Sequence, residues 1–345
     1  MKQFSSGSDT PLSAGTAAGG SLSDQLTDLL QYAVLAPSIL NTQPWQFGVT
    51  DDAVEFYLDS SRQLRVADPE GREATISIGA AIFLLRLAMR VHGLEPTLAY
   101  HFDPIHRNHL ATVQCVGECV PDEWERELLA LVPLRHATPG PMEAIDLSPE
   151  ERDWLSSHVS SEHGFLTWMS DRELRMLVIG VIREGERLLF HDPHYRDEFA
   201  SWLRPNSTNS PDGITARQAG FGPLASGAAP WLVRTFDVGS IMAEHDAALA
   251  EQAPSLAILW TGRDEVANWL DAGEALCRLE LVATKLGMEF SVFNQPLQVP
   301  SIRDRLVHEF GSSGSPQAIV RIGIGNKEQH QHRRRSRVAV KESAN

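Results

Sequence analysis

One pattern occurs twice in the chain. Gly79-Ala80-Ala81 is followed by Leu85, Leu87 and a closing Gly93-Leu94, and Gly273-Glu274-Ala275 is followed at the same spacings by Leu279, Leu281 and Gly287-Met288. Leucines at helical spacing with a terminal glycine predict two similar buried helices, each starting at a close-packed Gly-x-Ala and ending at a glycine cap. Such a repeat suggests that both halves share one fold. Two unrelated core helices can also share leucine spacing and a glycine cap, so the repeat alone leaves duplication and coincidence open.

The rest of the chain has to supply a core around those helices. Of 345 residues, 42% are hydrophobic and 22% charged, enough apolar material for one large domain or two. A formal charge of -15 argues against a nucleic-acid surface, because a polyanion is repelled unless basic residues are segregated. Segregation occurs only at the C-terminus, in His332–Val340 (HRRRSRVAV). Cys115, Cys119 and Cys277 are too few and too unevenly placed for a disulfide framework, which fits a reducing, cytoplasmic setting. The apolar run from Ile76 to Met89, interrupted by Arg86, is too short to cross ~30 Å of hydrocarbon and reads as a core helix, so no membrane is expected as a partner.

Residues 1–20, mostly Ser, Gly, Thr and Ala, read as a disordered lead-in. Residues 21–36 predict an amphipathic helix ended by Pro37. Phe47–Leu58 predicts a β-hairpin turning at Asp51-Asp52, Ile76–His92 the first repeat helix, and the runs 98–101 and 110–120 further strands. A soft boundary lies near 125, separating a first half (21–125) from a second (126–326). In the second half, helices are predicted at 148–157, 171–190 and 193–203, then a strand at 256–261, the second repeat helix at 266–286, an extended piece at 290–293 and a last buried strand at 319–324. The stretch 205–230 is long, aperiodic and rich in Asn, Ser, Gly and Pro, as expected of a lid. Residues 327–345 form a basic tail.

The segment Ala36-Pro37-Ser38-Ile39-Leu40-Asn41-Thr42-Gln43-Pro44-Trp45 is the most unusual in the chain. Core packing has no use for Ser, Asn, Thr and Gln together. These neutral donors and acceptors suit a polyhydroxyl chain or the polar edge of a flat heterocycle; an Asx-type turn in which Asn41 caps its own loop explains them equally well. The two cysteines near His101, His106 and His109 match no zinc spacing and no metal is expected. There is no P-loop and no strand-linked Gly-x-Gly-x-x-Gly, so any nicotinamide would bind without a Rossmann module.

APSILNTQPWQF resembles the motif of the nitroreductase superfamily, and the wider pattern resembles its Acg-like subfamily of duplicated FMN-binding oxidoreductases. The resemblance includes ADPEGRE (67–73), HDPHYRDEFASWLR (191–204), Asp212-Gly213-Ile214, WLDAGEALCRLELVATKLGM (269–288), FNQPLQVPSIRDRL (293–306) and SPQAIVRIGIG (315–325), so it covers about residues 21–325. It implies an α+β fold: a nitroreductase-like α/β/α sandwich, internally duplicated as a pseudo-dimer in one chain, with one FMN between the halves. The residues it assigns to the flavin are Pro37, Ser38, Asn41 and Gln43 from the first half and Arg135, Thr138, Asn294 and Gln295 from the second, with Arg334 and Arg335 in the tail.

Where the family pattern has a second basic residue after Arg135, this chain has Pro139-Gly140, which weakens the phosphate clamp. The implied activity is electron transfer from NAD(P)H through FMN to a small-molecule oxidant such as a nitroaromatic, quinone or enone, by a pseudo-dimer that is monomeric or paired as a homodimer. No catalytic side chain is assigned, because the flavin carries the chemistry. The alternative is a flavin-sequestering protein with little turnover, closed by its lid.

Overall fold

A computed structural model describes residues 20–102, 108–135, 140–207, 210–222, 225–324 and 340–341. The first half runs α1 (Leu22–Ala33), β1 (Trp45–Val49), β2 (Ala53–Leu58), α2 (Arg72–Val91), β3 (Leu94–Tyr100) and β4 (His109–Glu118), and α3 (Glu123–Leu131) leads out of it. The second half opens with α4 (Pro149–Ser160) and β5 (Gly164–Trp168). An inserted group follows: α5 (Arg172–His191), α6 (Pro193–Trp202), the two-residue strands β6 (Leu203–Arg204) and β7 (Ile214–Thr215), α7 (Ala229–Thr235) and α8 (Gly239–Gln252). The chain then makes β8 (Ser255–Thr261), α9 (Val266–Lys285), β9 (Glu289–Val292), α10 (Pro300–Glu309), β10 (Ser315–Gly323) and β11 (Val340–Lys341).

With the insertion, α10 and β11 set aside, both halves read helix, strand, strand, helix, strand, strand. Their sheets have matching orders, β1-β2-β4-β3 and β5-β8-β10-β9, and every adjacent pair is antiparallel. α2 and α9, the helices that carry the repeat, lie against each other at the centre. A Cβ added to Gly79 would meet the backbone of Leu270, and one added to Gly273 the backbone of Ile76. The two contacts join the same pair of positions with the halves exchanged, as across the two-fold axis of a dimer. This reciprocity removes coincidence as an account of the repeat: the chain is internally duplicated.

One core joins the halves. Phe47, Val54 and Phe56 of the first sheet, Ala257, Leu259 and Val320 of the second, and the facing sides of α2 and α9 belong to the same apolar cluster. The second sheet is covered on its other face as well, where Ile258, Trp260 and Ile319 pack with Val178 and Ile182 of α5 and Ala247 of α8. Buried on both faces, β8 has no exposed residue and reads as an unbroken apolar run. β11 extends the first sheet, pairing parallel with β1 through Phe47↔Val340, so the C-terminal end of the chain returns to the first half.

Local signals set most element ends. Capping boxes at Ser21/Asp24, Asp122/Glu125 and Ser148/Glu151 start α1, α3 and α4. α2 begins four residues before the expected Ile76, because its first turn is Arg72 and Glu73, which are buried as an ion pair at 3.0 Å instead of marking the surface. α2 is the one helix among the described residues long and apolar enough to cross a membrane, and here it is mostly buried inside the protein. The 205–230 stretch holds β7, which pairs with β6 just before it, and the start of α7, so it is less irregular than its composition suggests.

Candidate functional site

α1 stops at Val34, and Pro37 keeps the chain from continuing as a helix. The next residues form a tight 3₁₀ turn, Ile39–Asn41, in which Leu40, Asn41 and Gln43 all have positive φ (44°, 53° and 52°). Three non-glycine residues in the left-handed region within four positions are held there by their surroundings, a condition common at binding sites. The Ser38 hydroxyl accepts from the Gln43 backbone N–H at 3.0 Å, and the Ser77 hydroxyl of α2 accepts from the Ile39 N–H at 3.3 Å. Ser38 therefore closes its own turn, a part that the Asx-type reading of the segment gives to Asn41.

Asn41 and Gln43 point outward from that turn and are met by residues 210–213. The Asn41 side-chain amide donates to the Gly213 carbonyl at 3.2 Å and the Gln43 amide to the Pro211 carbonyl at 2.6 Å. Asp212 anchors residues 210–213 through Arg62 (2.8 Å) and Arg204 (3.0 Å); burial, the largest single influence, raises its carboxyl, and the hydrogen bonds from Arg204, Arg62 and Ser210 together outweigh it and hold the group below the usual range. Residues 211–213 of the 205–230 stretch thus lie against the Ser38–Gln43 turn.

The second half supplies the facing wall. After β9, Asn294 leads into the 3₁₀ turn Gln295–Gln298, and Gln295 and Gln298 line one narrow crevice with Ile39 and Leu40 of the first half and Tyr195 and Glu198 of α6. The crevice holds about 10 Å³, near the minimum for one water. Asn294 Oδ1 and Gln298 Oε1 are buried and meet no donor among the described residues. The Gln298 amide donates to Glu73 at 3.5 Å, and Arg72 beside it donates to the Gln317 side chain at 2.9 Å. A larger groove of about 540 Å³ between α5 and α8 is lined by Arg183, Glu184 and Arg187 and by none of these residues.

Burial pushes the Glu73 carboxyl up to about 7, with Arg72 opposing the shift. A raised carboxyl binds its proton more tightly in the folded state, so its contribution to stability is complete below the unfolded value of 4.5 and is lost as pH rises through about 7. Denaturant midpoints measured at pH 5 and pH 8 are expected to fall less across that interval in Glu73→Gln than in the parent; equal falls would show that Glu73 does not titrate there.

Arg135 is buried, with both contacts of one guanidinium nitrogen on Glu280 of α9 at 2.7 and 2.6 Å and the other nitrogen donating to the Leu35 carbonyl. It sits beside the Pro37 segment, but its charge is already matched. Thr138, Pro139, Arg334 and Arg335 lie outside the described residues. The structure therefore brings Ile39 and Leu40, from within the Pro37–Gln43 segment, to one crevice with Gln295, which follows Asn294, while the bonds of Ser38, Asn41 and Gln43 described above run within the turn and to residues 211–213. Tyr195, Glu73 and Gln298 were not singled out by the sequence, although each falls in a segment that resembles the family.

No family model matches the chain. Among curated proteins it is similar to "putative NAD(P)H nitroreductase Rv3131" of Mycobacterium tuberculosis, at 28% identity over 298 residues, 86% of this chain and 83% of that protein. It is also similar to "putative NAD(P)H nitroreductase acg" of the same organism, at 26% identity over 309 residues, 87% of this chain and 89% of that one. Solved structures give weaker likenesses: a putative nitroreductase from Anabaena variabilis at 13% identity, 88% of each chain and a TM-score of 0.40, and a nitroreductase with bound FMN from Desulfitobacterium hafniense at 10% identity, 60% of this chain, 93% of that one and a TM-score of 0.35. Across most of its length the chain is thus similar to mycobacterial proteins named putative NAD(P)H nitroreductases, Acg among them.

Proposed function

We propose that this protein is an FMN-dependent oxidoreductase that passes electrons from NAD(P)H to a small acceptor of the nitroaromatic, quinone or enone kind. The observation that carries the reading is the meeting of two turns, one from each half, at a single crevice through Ile39, Leu40, Gln295 and Gln298, where Gln298 Oε1 and the neighbouring Asn294 Oδ1 are buried and meet no donor among the described residues. The names of the relatives support the same chemistry.

The lining fits a flavin. Asn294 Oδ1 and Gln298 Oε1 are acceptors for N–H groups of a heterocyclic edge, and the Asn41 and Gln43 amides are donors for its carbonyls or for ribityl hydroxyls. Pro37 and Ser38 hold the turn that aims them, and Gln295 closes the opposite wall. Phosphate recognition falls to Thr138, Arg334 and Arg335, with Arg135 holding the neighbouring backbone; the return of β11 to β1 supports a role for the tail. The chemistry that FMN supplies is two-electron uptake from a nicotinamide and release to the acceptor. A crevice of about 10 Å³ admits no isoalloxazine, so flavin uptake requires its walls to part, and the Asn41 and Gln43 amides become free for the flavin only if they leave the Gly213 and Pro211 carbonyls.

The test is the visible spectrum of the protein after incubation with FMN and gel filtration, then after anaerobic NADPH. Stoichiometric retained flavin that bleaches is the expected result. Flavin that is retained but resists reduction would favour sequestration, a reading to which the closed covering segment lends weight, and no retained flavin would sink the cofactor assignment. Asp212→Asn, which weakens the anchor to Arg62 and Arg204, is expected to take up FMN about tenfold faster if it loses the equivalent of one charge-assisted bond of about 1.5 kcal/mol; an unchanged rate would mean that residues 210–213 do not gate the site.

A further inference from the structure

The outer face of the inserted helices carries apolar side chains that belong to none of the buried clusters. Leu188 of α5, Trp231 of α7, Phe236 just after it and Ile241 of α8 are about half exposed or more, Ile241 most of all at 71%. Isolated exposed apolar residues are ordinary on a protein surface, but these four gather in one place. The Trp231 and Phe236 rings meet edge to face with centroids 5.7 Å apart, and Leu188 lines the groove of about 540 Å³ together with Asp237 and Ser240, the chain neighbours of Phe236 and Ile241. Gly180 lines the same groove, and a Cβ added there would meet nothing within 4 Å, so a further side chain has room.

The charges around the groove are mixed. Arg183 and Arg187 of α5 pair with Glu244 of α8 at 3.1 and 2.8 Å, and Glu184 of α5 pairs with Arg305 of α10 at 2.7 Å. The Glu184 and Arg187 side chains stay about half exposed, and surface pairs of this kind are worth ~0–1 kcal/mol, so each group can be shared with an incoming charge at little cost. A partner of one sign, such as a nucleic acid or a basic peptide, would meet repulsion as well as attraction here. A second copy of the chain meets its own pattern reversed. At a formal charge of -15, two copies repel over most of their surfaces and meet most favourably where acids and bases alternate. A two-fold axis crossing α5 between Gly185 and Glu186 sets the helix antiparallel to its copy, with Glu184 of each against Arg187 of the other and His191 of each over the other's Gly180. The size also suits a dimer. α5 has 20 residues and so runs about 30 Å, and with α8 packed beside it at ~10 Å it presents roughly 600 Å² before α7 is added, against ~800 Å² per partner in an interface of standard size.

We propose that the groove between α5 and α8 is the contact through which two copies of this chain pair, helix against helix about a two-fold axis, into a dimer of internally duplicated chains. The groove shares no residue with the candidate flavin site, so the pairing stands apart from the oxidoreductase reading.

Sedimentation velocity of the full chain tests the pairing. At roughly 100 µM, above the micromolar Kd that marks the weak end for interfaces of this size, the parent is expected to sediment as twice 38.1 kDa. Ile241→Glu, at a site exposed enough to leave the fold intact, is expected to weaken association at least about tenfold, whereas Val120→Glu, at an exposed apolar site of the first half, is expected to leave it unchanged. A parent that stays monomeric would overturn the proposal and leave this face to a different partner. A dimer that survives Ile241→Glu would overturn it by placing the interface elsewhere.

Charge exchange gives the sharper reading. Glu184→Arg alone and Arg187→Glu alone each set like charges together across the two-fold axis, and each is expected to be monomeric at the concentration where the parent is paired. Mixed one to one, the two variants are expected to dimerise, because the introduced arginine of one then faces the introduced glutamate of the other while the unchanged Arg187 and Glu184 still meet. Both positions lie at the surface, so the circular dichroism of every variant is expected to match the parent. A mixture that stays monomeric would refute the antiparallel crossing of α5, and the proposal with it.

Discussion

Replacing Gly273 by alanine is expected to destabilise the protein by about 3 kcal/mol, the upper end of the usual cost of overpacking. The direction is the informative part. Glycine inside a helix is about 1 kcal/mol less favourable than alanine, so on helix propensity alone the change stabilises. Packing reverses the sign. A Cβ at Gly273 would stand 2.7 Å from the Ala80 amide nitrogen and 2.8 Å from Gly79 Cα, and closer still to the Ile76 carbonyl oxygen. These are backbone atoms of the facing helix, so relief requires α2 and α9 to separate. That separation would open the core that the two sheets share. Gly79→Ala meets Leu270 in the same way, with the carbonyl carbon at 2.9 Å, and the two losses are expected to add incompletely because both report on one crossing. Denaturant midpoints at fixed slope measure this directly. An alanine variant that is more stable than the parent would refute the close crossing, and with it the reciprocal contact from which the duplication is read.

That crossing was the part of the fold most legible in the sequence, because a glycine within a strongly apolar helical pattern has no local advantage and points to a neighbour. Elements that depend on tertiary contacts were less visible. α8, GSIMAEHDAALAEQ, spreads small apolar residues around its circumference, and its apolar side is hard to see before α5 and the second sheet are in place. β5 is short and half-buried, and gains its place by pairing with β8. α2 starts early because an Arg–Glu pair, which ordinarily signals the surface, is buried there.

The candidate site divides along the same line. The run from Pro37 to Gln43 stood out by composition, since so many small polar side chains in a row serve neither a strand nor a helix. In the structure Ser38 closes the turn, and Asn41 and Gln43 face residues 211–213. Tyr195 and Gln298 gave no such signal. A polar residue on a helix is written the same way whether it faces water or a buried wall, and only the packing of α5 and α6 against the second 3₁₀ turn separates the cases.

Arg135 is expected to behave as a structural residue whose loss resembles loss of a ligand. It and Glu280 are 7% and 4% exposed in their side chains, and the pair is two-pronged at 2.7 and 2.6 Å. Removing one partner strands the other charge in the interior, at about 3–5 kcal/mol. Arg135→Met is therefore expected to lower the denaturant midpoint sharply, and Arg135→Met with Glu280→Leu to recover most of the loss, because an apolar pair of similar volume no longer buries a charge. A direct phosphate clamp predicts something else: Arg135→Met would lose flavin at nearly unchanged stability. The double variant separates the two roles further. It restores the core but not the hydrogen bond to the Leu35 carbonyl, which ties the end of α1, and through it Pro37 and Ser38, to the second half. Retention of FMN in the stable double variant is then expected to be weakened and not abolished, since the turn keeps its own closure through Ser38 while losing one of its outside supports. Abolished binding in a protein of parental stability would instead place the Arg135 guanidinium on the phosphate.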